Sequence, residues 1–109
     1  MISSDVIRGY VDVLVLDSVL DGPSYGYAIS KRIEQMAGGQ YVIKETTLYS
    51  AMRRLEESGA LESFAGEQTQ GRPRTYYRIT PAGIDLYKSK CTEWHTTIEV
   101  VGRFVRKEI

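Results

Sequence analysis

At 109 residues and 12.3 kDa the chain has the length of one domain, and its 42% hydrophobic and 26% charged residues are those of an ordinary globular protein. Fourteen basic residues balance fourteen acidic ones, so the overall charge points to no particular partner. The inventory excludes more: one cysteine (Cys91) and one histidine (His95) make neither an internal disulfide nor a zinc site. No glycine-rich phosphate loop or nucleophile elbow appears, and an enzyme, a metal or a cofactor is not expected. The longest aliphatic run, Val13-Leu14-Val15-Leu16, lies between Asp12 and Asp17 and falls far short of the ~20 apolar residues of a membrane span. Met1-Ile2-Ser3-Ser4-Asp5 lacks the basic start of a secretory signal, so a cytoplasmic location without a membrane partner is expected.

In chain order, Ser4-Asp5 offers a cap to a helix over Val6–Leu20, apolar nearly all round and therefore covered on both sides, which Asp21-Gly22-Pro23 stops. Ser24 caps a second helix whose Ile29, Ile33 and Met36 line one face, and Gly38-Gly39 ends it. A short extended piece, Tyr41-Val42-Ile43, leads to a third helix from about Thr46 to Ser58, stopped by Gly59. At ~100° per residue, Leu48, Ala51, Met52 and Leu55 cluster on its buried side. Thr46, Ser50, Arg53 and Glu57 take the opposite side, with Tyr49 on a flank.

A hairpin follows, with strands Leu61–Ala65 and Thr75–Ile79. On the second strand Tyr77 and Ile79 share one face, and Tyr76 and Arg78 the other. The connection from Gly66 to Arg74 is polar, and from Gln70 to Thr80 the chain carries Arg72, Arg74 and Arg78 without an acid. Thr80-Pro81 caps the last helix, with proline where its missing N–H costs nothing. There Ile84, Tyr87, Cys91, Trp94, Ile98, Val101 and Val105 follow a heptad seam. A helix from Ile84 to Val105 measures roughly 33 Å at 1.5 Å per residue, too long for so small a domain to cover, and a second copy of the chain is the expected cover.

Three helices, a hairpin with a basic tip and a closing helix give a mainly α fold with a small β-hairpin: a winged helix-turn-helix followed by a long dimerisation helix. Residues 1–80 form the DNA-binding part, with the first helix also in the dimer interface; residues 81–109 form the dimerisation helix, and the whole is one compact unit. The third helix suits the major groove, and the hairpin tip reaches phosphates or the adjacent minor groove, whose negative potential draws arginine.

The residues carry a resemblance as well. Tyr25-Gly26-Tyr27-Ala28-Ile29, Thr47-Leu48-Tyr49, Arg54-Leu55-Glu56, the run from Gly71 to Thr80 and then Gly83 are together similar to the PadR family of bacterial transcriptional regulators. The match runs from about Gly9 to Leu86. Ser50 departs from the family's usual proline, Thr46 from glycine or alanine, Ala60 from a larger aliphatic residue and Thr75 from lysine, which removes a positive charge from the wing. The single helix after the wing resembles the compact PadR-like subfamily. That resemblance implies a homodimeric repressor, closed by its first and last helices, and an aromatic effector at the dimer centre.

The expected DNA-binding residues are Thr46, Thr47, Tyr49, Ser50, Arg53, Arg72 and Arg74, with an inverted-repeat duplex as partner. Thr46 or Thr47 serves equally as a helix cap. Arg54 is read as a structural ion pair and Arg78 as a surface charge, while Tyr25 and Tyr27 are read as core and turn-packing residues. The expected dimer interface holds Ile7, Val11, Leu14, Tyr87, Cys91, Trp94, Ile98, Val101 and Val105. Cys91 is there as a small apolar seam residue, and His95 falls off the seam into solvent. Trp94 is either plain core or, paired with its symmetry copy, a clamp for a flat aromatic ligand. The competing function is a winged-helix adaptor that binds protein and not DNA; the wing arginines speak against it.

Overall fold

The computed structural model describes residues 1–69 and 72–109, with backbone alone at 67–69 and 72. Gln70, Gly71 and the Arg72 side chain, one of the expected DNA contacts, thus lie outside the described residues.

The helix expected over Val6–Leu20 is three pieces: α1 (Ser4–Ile7), a 3₁₀ turn (Arg8–Tyr10) and α2 (Val11–Ser18). Ser3 caps α1 by accepting from the Val6 amide. Gly9, a poor helix former, sits in the 3₁₀ turn. At the far end the Ser18 hydroxyl donates back to the Leu14 carbonyl, and Val19 leaves the helical region before Asp21-Gly22-Pro23 is reached.

Ser24 does not cap a helix. Ser24–Tyr25 forms a two-residue strand, β1, and α3 (Gly26–Met36) starts straight from it. Met36, expected on the buried face, is 65% exposed, because it follows Ile33 into the last turn, past the end of the core. Helix α4 (Glu45–Glu57) has Lys44 at its N-cap with no side-chain bond, so neither Thr46 nor Thr47 is the cap. Gly59, at φ 84°, ends α4 in the left-handed region that a side chain disfavours.

The hairpin strands run further than expected: β2 spans Leu61–Thr69 and β3 spans Arg72–Ile79. Much of the polar connection from Gly66 to Arg74 is therefore strand, its pairing irregular between Ala65 and Gln68, and Arg74 stands on β3 rather than on a loop. Antiparallel pairing of β1 to β3 (Ser24 to Tyr77, Tyr25 to Tyr76) and of β2 to β3 (Leu61 to Ile79, Ser63 to Tyr77) makes the sheet order β1-β3-β2. As expected from alternation, Tyr77 and Ile79 face the core. On the other face Tyr76 lies 5.4 Å from the Tyr25 ring and 5.8 Å from the Phe64 ring.

The core is built from α2, α3, α4 and the start of β2: Val15, Leu16, Ile29, Leu48, Met52, Leu55 and Leu61 are almost fully enclosed. Thr80 joins the wing to the last helix. Its hydroxyl donates to the Gly59 carbonyl at 2.5 Å and accepts from the Gly83 amide at 3.0 Å, which caps α5 (Pro81–Gly102). Gly83 is buried where a Cβ would strike the Ala60 carbonyl. Gly83→Ala is therefore expected to cost about 1–3 kcal/mol by overpacking, read as a lower urea midpoint at unchanged m-value.

Among the described residues, the first half of α5 is covered by α2 and β3 and the second half is exposed. Tyr87 packs against the core and its hydroxyl donates to Asp17 Oδ1 at 3.1 Å. Burial first, then hydrogen bonding with Cys91 and Asp17, pushes the pKa of that hydroxyl up to about 12. Further along, Cys91 is half-buried, and Trp94 (40%), Ile98 (46%) and Val101 (51%) stand exposed. The helix stops at Gly102, so Val105, expected on the seam, lies beyond it; Val100 and Val101 carbonyls accept the closing bonds from Arg103 and Phe104. The projection makes the molecule 58 × 28 × 21 Å. No helix among the described residues is long and apolar enough to cross a membrane.

Candidate nucleic-acid interface

Helix α4 buries Leu48, Ala51, Met52 and Leu55, and the same rotation turns Thr46, Tyr49, Ser50 and Arg53 outward. These four line one shallow cleft with Glu45, an exposed acid in the first turn that the sequence pattern did not single out. A carboxylate there suits the positive end of the helix dipole, and against DNA it can accept from the exocyclic amine of cytosine. Among the described residues Arg53 makes no ion pair, so the alternative of a pair with Glu57 is not formed.

Tyr49 is the hinge of this surface. It borders the cleft of Thr46, Ser50 and Arg53, a second with Ser30 and Glu45, and a third with Tyr25, Tyr27 and Arg74. Its ring leans over the start of α3, where a Cβ on Gly26 would run into the phenol. Glycine at 26 thus lets the Tyr49 ring of α4 lie directly against the start of α3.

The wing joins at the same place. Arg74 lays its guanidinium 4.0 Å over the Tyr25 ring. Stacking engages the face of the guanidinium, whereas arginine grips phosphate through the N–H donors in its plane. Tyr25 is thus a platform rather than plain core. Tyr27, read from sequence as turn packing, is 65% exposed, with the Lys31 ammonium 5.5 Å above its ring. Tyr27, Ser30 and Lys31 extend the surface onto α3; Tyr27 is in that helix's first turn, the one positional signal the sequence offers, and Ser30 and Lys31 are in its second. Arg78 is a surface charge, its Nε 3.1 Å from Glu62 and its guanidinium over Phe64 at 4.2 Å.

One expected DNA contact sits apart. Thr47 is half-buried and turns toward α1, in a separate cleft with Arg8, Lys44 and Arg54 that Thr46 and Ser50 border from the other side. Arg54 is the structural ion pair expected of it, its Nη2 2.5 Å from Asp12 Oδ1. Of the residues expected between copies, Ile7, Leu14 and Tyr87 line an apolar groove of about 370 Å³ between α2 and α3. Val11 is 5% exposed and belongs to the protomer's own core, which limits what it can offer a second copy.

A helix-turn-helix with an exposed polar recognition helix and a two-stranded wing folded beside it defines a winged-helix protein. Residues 15–89 match the transcriptional regulator PadR-like family, and the chain belongs to that family. A transcriptional regulator from Clostridium thermocellum is 57% identical and superposes with a TM-score of 0.90, spanning 97% of this chain and 100% of that one. A PadR family transcription regulator from Clostridium difficile is 30% identical, with a TM-score of 0.75 over 87% of this chain and 97% of that one. Bacillus subtilis PadR, solved in complex with operator DNA, shares the fold at 18% identity and a TM-score of 0.68, over 78% of this chain and 48% of that one.

Proposed function

We propose that the protein is a homodimeric, cytoplasmic repressor that binds an inverted-repeat operator and is released from it by a flat aromatic ligand. The observation that carries DNA binding is the continuous exposed surface of Thr46, Tyr49, Ser50 and Arg53 with Arg74 beside it, in a member of this family. Residues 1–80 serve as the DNA-binding part and residues 81–109 as the dimerisation helix, within one compact unit. The dimer reading rests on the bare seam of Trp94, Ile98 and Val101 and on the apolar groove at Ile7, Leu14 and Tyr87. Selection from a randomised duplex library should enrich an inverted repeat with half-sites about 34–36 Å apart. Enrichment of no sequence would sink the DNA-binding reading.

Trp94 carries the ligand reading. Its indole meets the His95 ring edge-on, 5.2 Å between centroids, so a neighbour holds its orientation while much of its surface stays open. Two such rings about 7 Å apart admit a planar molecule at van der Waals contact on both sides. A ligand that favours one spacing of the two helices shifts operator affinity through the dimer geometry. Planar aromatic compounds should quench the tryptophan fluorescence saturably, and Trp94→Ala should abolish their binding while sparing the dimer. Full ligand affinity of that variant by calorimetry would move the site elsewhere.

A further inference from the structure

Helix α2 meets the DNA-binding helices through Val11, Val15, Leu16 and Val19, all buried. Apolar packing sets the spacing and the approximate crossing angle of α2 but supplies no directional bonds. Two aspartates, about 140° apart around the helix, supply those bonds. Asp12 Oδ1 accepts from Arg54 Nη2 of α4 at 2.5 Å. Asp17 Oδ2 accepts from Arg32 Nη2 of α3 at 2.7 Å, and Asp17 Oδ1 accepts from the Tyr87 hydroxyl of α5 at 3.1 Å. The two carboxylates are five residues apart, roughly 7.5 Å along a helix. One helix is thus gripped at two points by both helices of the DNA-binding motif, and at one of those points by the dimerisation helix as well.

We infer that Asp12 and Asp17 are positioning residues for operator recognition: they lock the angle between α2–α5 and the recognition helix α4, and so set the half-site spacing that the dimer accepts. This rests on the dimeric, DNA-binding reading above. Partly exposed ion pairs are weak as stability devices, and the Asp12 and Asp17 side chains keep 21% and 28% of their surface in solvent. The apolar core holds the fold without them; what they add is direction. Small angles matter because of leverage. Recognition helices about 34–36 Å apart lie about 17 Å from the two-fold axis, where a roll of about 10° moves each by about 3 Å, close to one base-pair step of ~3.4 Å.

The test uses the selected duplex, versions with one base pair inserted or deleted at its centre, and a single half-site duplex. Wild-type protein should lose at least tenfold in affinity on either spacing change. Asp12→Ala/Asp17→Ala, which keeps α2 in good helix formers, should lose less than threefold, with half-site affinity and dimer dissociation unchanged. Exchanging the charges in Asp12→Arg/Arg54→Asp should restore the spacing preference, as a merely neutralised surface would not. If the double alanine variant does not fold, Asp12→Ala alone reads the same loss in part. A folded dimeric variant with the wild-type spacing penalty overturns the inference. A wild-type protein that is monomeric or indifferent to spacing overturns the dimeric reading itself and this inference with it, and that outcome is read without any variant.

Discussion

Arg53→Ala is expected to weaken binding to the selected operator by about 1–3 kcal/mol per half-site while leaving affinity for random duplex nearly unchanged. Arg53 stands on the outward face of α4, in the same cleft as Thr46, Tyr49 and Ser50, with no ion pair among the described residues to be broken by its removal. Its loss therefore costs the folded protein little and deprives the complex of a base-edge hydrogen bond. The wing should behave differently. Arg74 is held on Tyr25, and Arg72, whose side chain lies outside the described residues, precedes it across Pro73. Arg72→Ala/Arg74→Ala should weaken specific and random duplexes alike. It should also flatten the dependence of log affinity on log salt by about 0.9 for each phosphate no longer neutralised, doubled by two-fold symmetry. Filter binding or anisotropy across a salt series separates the two patterns. Wild-type affinity and slope in the wing variant would show that the wing does not touch phosphate.

Ile98→Asp should abolish the dimer at micromolar concentration and leave the protomer folded. The side chain is 46% exposed on the protomer, so the substitution takes nothing out of its core. In the proposed dimer the same position places a carboxylate in the seam from each copy, near its own symmetry mate. Burying an unpaired charge costs several kcal/mol, which the charge avoids by remaining in solvent on a monomer. Sedimentation velocity should show one species of half the wild-type mass, with a helical circular dichroism spectrum and a melting temperature independent of protein concentration. Operator binding should fall with it, because a monomer engages one half-site without the tethered second. An unchanged dimer would place the interface away from the exposed half of α5.

How far the fold and the site are legible in the sequence differs from element to element. The C-terminal limits of α3 and α4 and the start of α5 are visible, because Gly38-Gly39, Gly59 and Thr80-Pro81 act on the backbone within a few residues of themselves. The buried and outward faces of α4 follow from the 3.6-residue repeat, and with them Thr46, Tyr49, Ser50 and Arg53 as one group. The break of the first helix is not read from periodicity, since a lone Gly9 inside a helical pattern is tolerated as often as it breaks one and Val19 carries the apolar pattern past Ser18.

What the tertiary structure decided is everything that depends on distant partners. Two residues, Ser24 and Tyr25, have no strand pattern of their own and become β1 because Tyr76 and Tyr77 lie beside them. Tyr25 turns from packing residue to platform when the same pairing brings Arg74 over its ring. Tyr27 and Lys31 join the Thr46–Arg53 surface only through the close approach of Tyr49 to Gly26. Arg54 was readable as an ion pair, but its partner Asp12, 42 residues away, was not, and neither were the paired roles of Asp17 toward Arg32 and Tyr87. Capping, turn chemistry and helical repeat are written between residues a turn apart, so a single chain displays them; which charge meets which, and which ring lies under which guanidinium, is set by how whole elements pack.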